Sequence, residues 1–270
     1  MFFTACYNQP FVMILRRLGN KQQIAKEIQK HFPQHRIYLE PFFGAGGMFF
    51  NKPKANHNIV NDIDSDVFNL FQIASTKTDE LKQAFSLMPL HMDLFKYWGA
   101  NEETDPIRKA LRFILLSNYG YMGKPNSFRL TGTKTEYAEN FEYNLDLTAK
   151  LLFNCQFANM DFRKFITGIS FQNDGRNDES KTLIYADPPY LGTNDNYSNS
   201  FTEQDSIDLF DTLQATGCKF AMSEFNNEFI LNQAKERGLN VIIIGERKNL
   251  KNLRTEILIT NYEKQKSLFD

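Results

Sequence analysis

Four consecutive residues, Asp187-Pro188-Pro189-Tyr190, combine a carboxylate, two prolines and a phenol ring. Pro188 and Pro189 have no backbone N–H, so their segment offers carbonyl acceptors and no donors. This set suits a planar group that carries N–H donors, such as the amino edge of a nucleobase. On these four residues alone, a strand end followed by a proline turn with a packed tyrosine is an equally good interpretation.

The elements that must position such residues are strands that end where the polar residues begin. The β-branched and aromatic run Thr182–Ala186 predicts a buried strand ending at Asp187. A second predicted strand, residues 36–40, ends at Glu40 and leads into the glycine loop 41–47. An acid at the end of such a strand stands where open α/β sheets bind ligands.

The glycine loop is the second candidate site. Gly44 and Gly46 let the backbone approach a ligand closely, because no Cβ intervenes. The loop lacks the Gly-x-Gly-x-x-Gly spacing, which argues against a nicotinamide cofactor. Asp62 ends the next predicted strand about twenty residues later, where an acidic side chain accepts the ribose hydroxyls of a nucleoside.

The third candidate site is the stretch 118–129, predicted as loop and hairpin with exposed tyrosines and cations. Rings that stack on bases and cations that neutralise phosphates predict a nucleic-acid contact. On an extended backbone Tyr119 and Tyr121 would share one face. A partly packed hairpin with solvated charges is the structural alternative. The residues predicted to contact the nucleic acid are Arg16, Tyr119, Tyr121, Lys124, Asn126 and Arg129.

Composition limits the class of protein. The 270 residues have a formal net charge of −1, so any nucleic-acid site must be a local basic patch. The three cysteines are far apart, which argues against a disulfide framework or zinc site and favours a reducing cytoplasm. No apolar run reaches the roughly 18 residues of a spanning helix, so we expect no membrane segment. We also expect no bound metal, because the sequence shows no cluster of metal-ligating residues.

Together, the loop 41–47 and the tetrapeptide 187–190 resemble the signatures of DNA N6-adenine methyltransferases, and more narrowly of the Dam family. Residues 15–21 are similar to that family's N-terminal cofactor motif, and 199–202 to the segment after its catalytic tetrapeptide. In Ser223-Glu224-Phe225 the chain departs from the more usual Ser-Asn pair. The resemblance covers nearly the whole chain.

This resemblance implies a Rossmann-like α/β methyltransferase fold that binds S-adenosylmethionine and double-stranded DNA. It implies a catalytic domain of residues 1–75 and 151–270, with a target-recognition insert at 76–150 that is helical and hairpin-like. Asp187 and the Pro188 carbonyl would accept the N6 hydrogens of a base that has left the duplex, and Tyr190 would stack on it. The implied cofactor residues are Arg17, Lys21, Glu40, Phe42, Phe43, Gly44, Gly46, Asp62, Asp161, Phe162 and Asp187.

Two alternatives stay open from the sequence. A similar tetrapeptide with Asn in place of Asp occurs in enzymes that methylate RNA bases or protein glutamine. A DNA-binding relic without activity is the other alternative, against which the intact Asp187, Asp62 and glycine loop argue.

Overall fold

The computed structural model describes residues 13–17, 19–121, 124–128, 132–173, 176–192, 201–248 and 253–263. The strands are β1 (Ile37–Glu40), β2 (His57–Asn61), β3 (Gly120–Tyr121), β4 (Lys124–Phe128), β5 (Cys155–Ala158), β6 (Gln172–Asn173), β7 (Arg176–Asn177), β8 (Thr182–Ala186), β9 (Lys219–Phe225), β10 (Asn240–Lys248) and β11 (Leu253–Thr260). The helices are α1 (Ala25–Gln29), α2 (Ser65–Thr76), α3 (Thr78–Leu87), α4 (Met92–Ala100), α5 (Pro106–Tyr119), α6 (Gly132–Glu139), α7 (Phe141–Leu152), α8 (Phe162–Thr167), α9 (Glu203–Ala215) and α10 (Glu228–Glu236).

Seven strands form one sheet in the order β10-β11-β9-β8-β1-β2-β5. The five strands from β9 to β5 in this order are parallel, whereas β11 is antiparallel to both β9 and β10. The chain builds outward from β1 through β2 to β5 and then returns to β8 on the other side of β1. The boundary between β1 and β8 is therefore the switch point at which open α/β sheets bind ligands. This topology confirms the predicted Rossmann-like α/β fold.

The sheet has one predominantly apolar face. Leu39, Ile184, Met222 and Ile257 point to this face and pack with the buried side chains of α8, α9 and α10. Because side chains alternate along a strand, their neighbours on β1, β8, β9 and β11 point to the opposite face. All five residues of β8 are buried, which agrees with the unbroken apolar run that predicted this strand.

The chain divides into two compact units. One consists of residues 20–68 and 154–270 and contains the seven-stranded sheet. The other consists of residues 1–19 and 69–153, and its core includes Phe85 stacked on Phe141 with ring centroids 3.7 Å apart. Residues 1–19 thus group with the region around the predicted insert, whereas the sequence prediction assigned them to the catalytic domain.

The region 118–143 differs in part from its prediction. The predicted hairpin is present as β3 and β4, but α5 continues to Tyr119 and α6 follows the hairpin. Tyr119 is fully buried, and burial raises its pKa to about 12 while Arg16 opposes the rise. The prediction of an exposed Tyr119 sharing an extended face with Tyr121 is therefore wrong. Tyr119 continues the buried stripe of α5 set by Leu111 and Leu115, at helical spacing.

Candidate active site

The predicted catalytic carboxylate, Asp187, makes an ion pair with a buried lysine. The Nζ atom of Lys21 lies 2.7 Å from Oδ1 of Asp187 and 3.5 Å from Oε1 of Glu256. Lys21 is 3% exposed and Glu256 is completely buried. Burial raises the pKa of Asp187 above its ordinary value, the Lys21 ammonium opposes this rise, and the negative charge of Glu256 adds to it. An ammonium thus occupies a position where Asp187 can accept hydrogen bonds.

Tyr190 belongs to the same cluster. Its hydroxyl donates to Oε1 of Glu256 at 2.5 Å, and the Lys21 ammonium lies 4.6 Å from its ring centroid. The ring meets Phe225 edge-on with the centroids 4.6 Å apart. Only 8% of Tyr190 is exposed, so its ring is packed in the free protein rather than presented as an open stacking surface.

Glu224 holds the chain directly after the tetrapeptide. Its Oε1 accepts the backbone N–H of Leu191 at 3.0 Å, and its Oε2 accepts that of Phe225 at 2.5 Å. Glu224 is 1% exposed, and burial raises its pKa to about 8 even though these two backbone hydrogen bonds oppose the rise. Pro188 is buried and Pro189 is half-buried, so the tetrapeptide is fixed on both sides.

Lys21 reaches this position because of a glycine. A Cβ added to Gly47 would lie 2.0 Å from Oδ1 of Asn20 and 2.9 Å from the backbone N of Lys21. Oδ1 of Asn20 in turn accepts the N–H of Gln22 and so forms the turn that carries Lys21. Gly47 of the glycine loop therefore allows the backbone of Lys21 to approach closely, in addition to any contact that the loop makes with a ligand. The sequence analysis did not predict this role in positioning Lys21.

The glycine loop also meets Asp62, which is 9% exposed at the end of β2. Gly44 has a φ of +55° and donates its N–H to Oδ2 of Asp62 at 2.6 Å. A Cβ at Gly44 would meet no atom within 4 Å, so the loop is open to an approaching group there. Oδ1 of Asp62 accepts the N–H of Asp64, and a carboxylate can accept further hydrogen bonds beyond these two.

Gly46 has a different surrounding from Gly44. A Cβ at Gly46 would lie 2.3 Å from the ring of Phe50 and 2.8 Å from that of Phe43. Phe43 is itself 2% exposed and packs against Phe49, Phe50 and Phe157. The described structure thus explains Gly46 and Phe43 by packing, and their predicted contacts with a cofactor stay predictions.

The other predicted cofactor residues of this unit lie close to these strand ends. Phe42 is half-buried, with its ring centroid 5.4 Å from that of Phe162. Asp161 caps α8 by accepting the N–H of Arg163, whose guanidinium also lies 3.1 Å from Oδ2 of Asp161. Arg163 was not among the predicted residues, yet it links Asp161 to two carboxylates of α9, those of Asp205 and Asp208.

Glu40 is enclosed at the end of β1. The hydroxyl of Tyr38 donates to its Oε2 at 2.8 Å, and only 2% of Glu40 is exposed. Burial raises the pKa of Glu40 well above its ordinary value, and the charge of Asp187 adds to the rise while Tyr38 opposes it. Lys52 lies 4.1 Å from the Tyr38 ring centroid, and burial lowers its pKa to about 8 while Glu40 opposes that change. A contact between Glu40 and a cofactor stays a prediction.

The N-terminal residues and the predicted recognition residues belong to the other unit. The side chain of Asn118 accepts the N–H of Arg16 at 2.7 Å and donates to the carbonyl of Ile14 at 2.9 Å. Arg16 is exposed and lies 5.6 Å from the ring centroid of Tyr137, whereas Arg17 is half-buried. The backbone of Tyr121 lies on β3, that of Lys124 and Asn126 lies on β4, and Arg129 lies outside the described residues.

No helix in the described part of the chain has the length and apolar character needed to cross a membrane. Within the same residues, no three His, Cys, Asp or Glu side chains are grouped so that they could hold a metal ion.

Comparisons with known proteins agree on one family. The model of the D12 class N6 adenine-specific DNA methyltransferases matches residues 18–254. The DNA adenine methylase of Salmonella typhi is 30% identical over 182 residues, a region that spans 65% of this chain and 64% of that protein. That of Vibrio cholerae serotype O1 is 26% identical over 252 residues, 85% of this chain and 79% of that protein. The solved rRNA methyltransferase AviRa of Streptomyces viridochromogenes has 12% identity and a TM-score of 0.40 over 95% of this chain and 88% of its own, too distant to bear on function.

Proposed function

Because this chain belongs to the D12 class of N6 adenine-specific DNA methyltransferases, we propose that it transfers a methyl group from S-adenosylmethionine to the N6 amino group of adenine in duplex DNA. The observation that carries the proposal is the half-buried Asp187 at the end of β8, paired with Lys21 and beside the glycine loop that follows β1. Both stand at the switch point of the sheet, where a cofactor and a reacting base can meet.

The residues at the glycine loop fit this cofactor. The open space beside Gly44 accommodates a ligand next to the backbone, and Asp62 at the same loop offers a carboxylate to ribose hydroxyls. The paired rings of Phe42 and Phe162, with the adjacent Asp161, suit an adenine ring and its amino group. When bound, S-adenosylmethionine supplies an electrophilic methyl group on a sulfonium centre.

The tetrapeptide supplies hydrogen-bond acceptors to the amino group of the target. Adenine N6 is a poor nucleophile because its lone pair is delocalised into the ring. Asp187 and the Pro188 carbonyl would each accept one N6–H, which favours a more tetrahedral nitrogen with an available lone pair. Asp187 is then the nearest acceptor for the proton that N6 loses after the N–C bond has formed. Fixing these acceptors in advance lowers the cost of orienting them during reaction.

The DNA contacts remain part of the proposal. Arg16 would contact phosphates, and Tyr121, Lys124, Asn126 and Arg129 would contact bases or phosphates near the β3–β4 hairpin. Tyr119 is removed from this set, because its ring is part of the core of its unit. The cytoplasm, where a bacterial or phage DNA methylase meets its substrate, is the compartment in which we place the reaction.

Long-read modification mapping tests the proposal directly. DNA from cells that express the wild-type chain should carry N6-methyladenine in one sequence context, and DNA from cells that express Asp187→Ala should not. With purified protein, Asp187→Ala should keep most of its cofactor affinity and lose single-turnover transfer by several orders of magnitude. A variant within about tenfold of wild type, or 1.4 kcal/mol of barrier, would remove Asp187 from the mechanism.

Two further measurements separate the alternatives. Transfer of labelled methyl groups to plasmid DNA and to transfer RNA, compared in parallel, distinguishes a DNA enzyme from an RNA enzyme. Calorimetric titration with S-adenosylmethionine distinguishes both from an inactive relic, which need not bind the cofactor.

A further inference from the structure

In the sheet-containing unit, the buried ammonium of Lys21 lies between the carboxylate of the half-buried Asp187 and that of the buried Glu256. Lys21 makes the shorter contact, 2.7 Å, with Asp187 and the longer one, 3.5 Å, with Glu256. Glu256 lies on β11, two strands away from β8, and faces Phe225 of the intervening β9 across the antiparallel ladder. The two carboxylates therefore approach the lysine from different parts of the sheet.

The lysine competes with the reacting base for the Asp187 carboxylate, because its ammonium occupies Oδ1, one of the two oxygens that could accept an N6–H. Asp187 must accept a hydrogen from adenine N6, but the free protein has the Lys21 ammonium bonded to that carboxylate. An ammonium that gives up its partner while buried bears an uncompensated desolvation penalty. The lysine therefore needs a second anion within reach at the moment when the base takes its place.

We propose that Glu256 is a positioning residue that takes the Lys21 ammonium from Asp187 when the target adenine is seated, and so frees Asp187 for N6. This inference rests on the proposed function and adds to it a residue outside the tetrapeptide and the glycine loop. The displacement is short, since Lys21 already lies within 4 Å of both carboxylates. The hydroxyl of Tyr190 donates to Glu256 and keeps this carboxylate turned toward the tetrapeptide.

The other buried acids near the tetrapeptide are held differently. Glu224 points to the opposite face of the sheet from Glu256 and receives two backbone N–H groups. Glu40 accepts a hydrogen bond from the hydroxyl of Tyr38, and its negative charge opposes the fall in the pKa of Lys52. Apart from Asp187 itself, Glu256 is thus the acid of this described group that contacts both Lys21 and Tyr190.

The decisive variant is Glu256→Gln, which keeps the shape and removes the charge. With Lys21 held on Asp187, single-turnover methyl transfer at saturating cofactor should fall at least about tenfold. The dissociation constants for S-adenosylmethionine and for duplex DNA should change by less than about twofold. The matched control is Glu246→Gln, the same substitution at an exposed position on the neighbouring β10, which should retain wild-type rates.

A comparison with Tyr190→Phe separates this role from a merely structural one. If Glu256 served only to hold the ring of Tyr190, Tyr190→Phe and Glu256→Gln would slow transfer equally, and the proposal would be overturned. Under the proposal, Tyr190→Phe keeps the Glu256 charge for Lys21 and retains a clearly faster transfer step than Glu256→Gln. A Glu256→Gln protein that transfers methyl groups at the wild-type rate would also overturn it.

A measurement on the unmodified protein covers the case in which Glu256→Gln does not fold. The side-chain ammonium of Lys21 can be followed by NMR in protein labelled with ¹⁵N-lysine, because a buried, paired ammonium exchanges slowly. Addition of duplex DNA containing the mapped target should shift this signal and leave it visible; its loss to solvent exchange would contradict the transfer to Glu256. If the wild-type protein methylates no adenine, the proposed function itself fails, and that result is distinct from either outcome above.

Discussion

Replacing Glu224 by Gln should change how the stability of this protein depends on pH. Glu224 is 1% exposed on β9, and burial raises its pKa from 4.5 to about 8. Its two oxygens accept the N–H groups of Leu191 and Phe225, so the carboxyl is fixed in place and cannot turn to solvent without breaking both bonds. The folded protein thus holds a proton on Glu224 that the unfolded chain releases near pH 4.5.

The sign of the effect follows from this difference. A group whose pKa is raised by folding binds its proton more tightly in the folded state, so stability falls as pH rises between the two pKa values. Below pH 4.5 both the folded and the unfolded states hold the proton, so Glu224 does not change the stability as the pH varies. Above pH 8 both states have released it, and the loss of stability is complete. With 1.36 kcal/mol for each pKa unit, the rise from 4.5 to about 8 corresponds to a loss of about 5 kcal/mol.

Urea unfolding of wild type and Glu224→Gln between pH 4.5 and 9 measures this loss. The Gln variant exchanges one acceptor oxygen for an amide NH₂, which costs stability by an amount that does not depend on pH. The informative quantity is therefore the difference between the two free energies of unfolding, which should move in favour of the variant by about 5 kcal/mol across this range. Glu246→Gln, the exposed control on β10, should follow the wild-type curve. Parallel curves for wild type and Glu224→Gln would refute the assignment of a proton to Glu224.

Three other variants test the cofactor loop and the N-terminal unit. Asp62→Ala should weaken binding of S-adenosylmethionine by roughly 1.5–3 kcal/mol in calorimetric titration, since it removes a charged acceptor; an unchanged dissociation constant would leave Asp62 as a structural acid that supports Gly44. Arg16→Ala should lower the slope of log affinity against log salt by about one for all DNA sequences, measured by fluorescence anisotropy; an unchanged slope would exclude a phosphate contact. Asn118→Ala should destabilise its unit by roughly 1–3 kcal/mol for each buried group left unpaired, with faster proteolysis of the N-terminal residues as the second readout.

The local signals in the sequence predicted the central strands of the sheet well. The strand β8 was predicted with its exact bounds, because an unbroken run of β-branched and aromatic residues has few other stable environments. At the start of α9, Thr202 and Asp205 form a reciprocal capping box, another feature set by neighbouring residues. These features depend on neighbours in the chain, so the sequence carries them directly.

The misjudged features depend on residues that are distant in the chain. Tyr119 was placed on an exposed strand because glycines follow it, but helix α5 buries it beside Tyr137 and Phe128. The position of Lys21 requires the close approach of Gly47, and no local pattern reveals that a particular glycine faces another segment. Glu224 and Glu256 lie on β9 and β11, and their burial follows from the pairing of these two strands.

The charges around Asp187 explain why a lysine stands at a site where it must later give way. Burial alone raises the pKa of Asp187, and a protonated carboxyl would accept the N6 hydrogen poorly. The Lys21 ammonium opposes that rise and so favours the ionised form of the carboxylate in the free protein, while no base is present. The same contact occupies Oδ1 of Asp187, so the ammonium and the base compete for this acceptor. Glu256, whose Oε1 lies 3.5 Å from the Lys21 ammonium, resolves this competition. The ammonium can move to Glu256 and so stay within the site, where it still opposes protonation of Asp187. The hydrogen-bonding position on Asp187 is then left to the base.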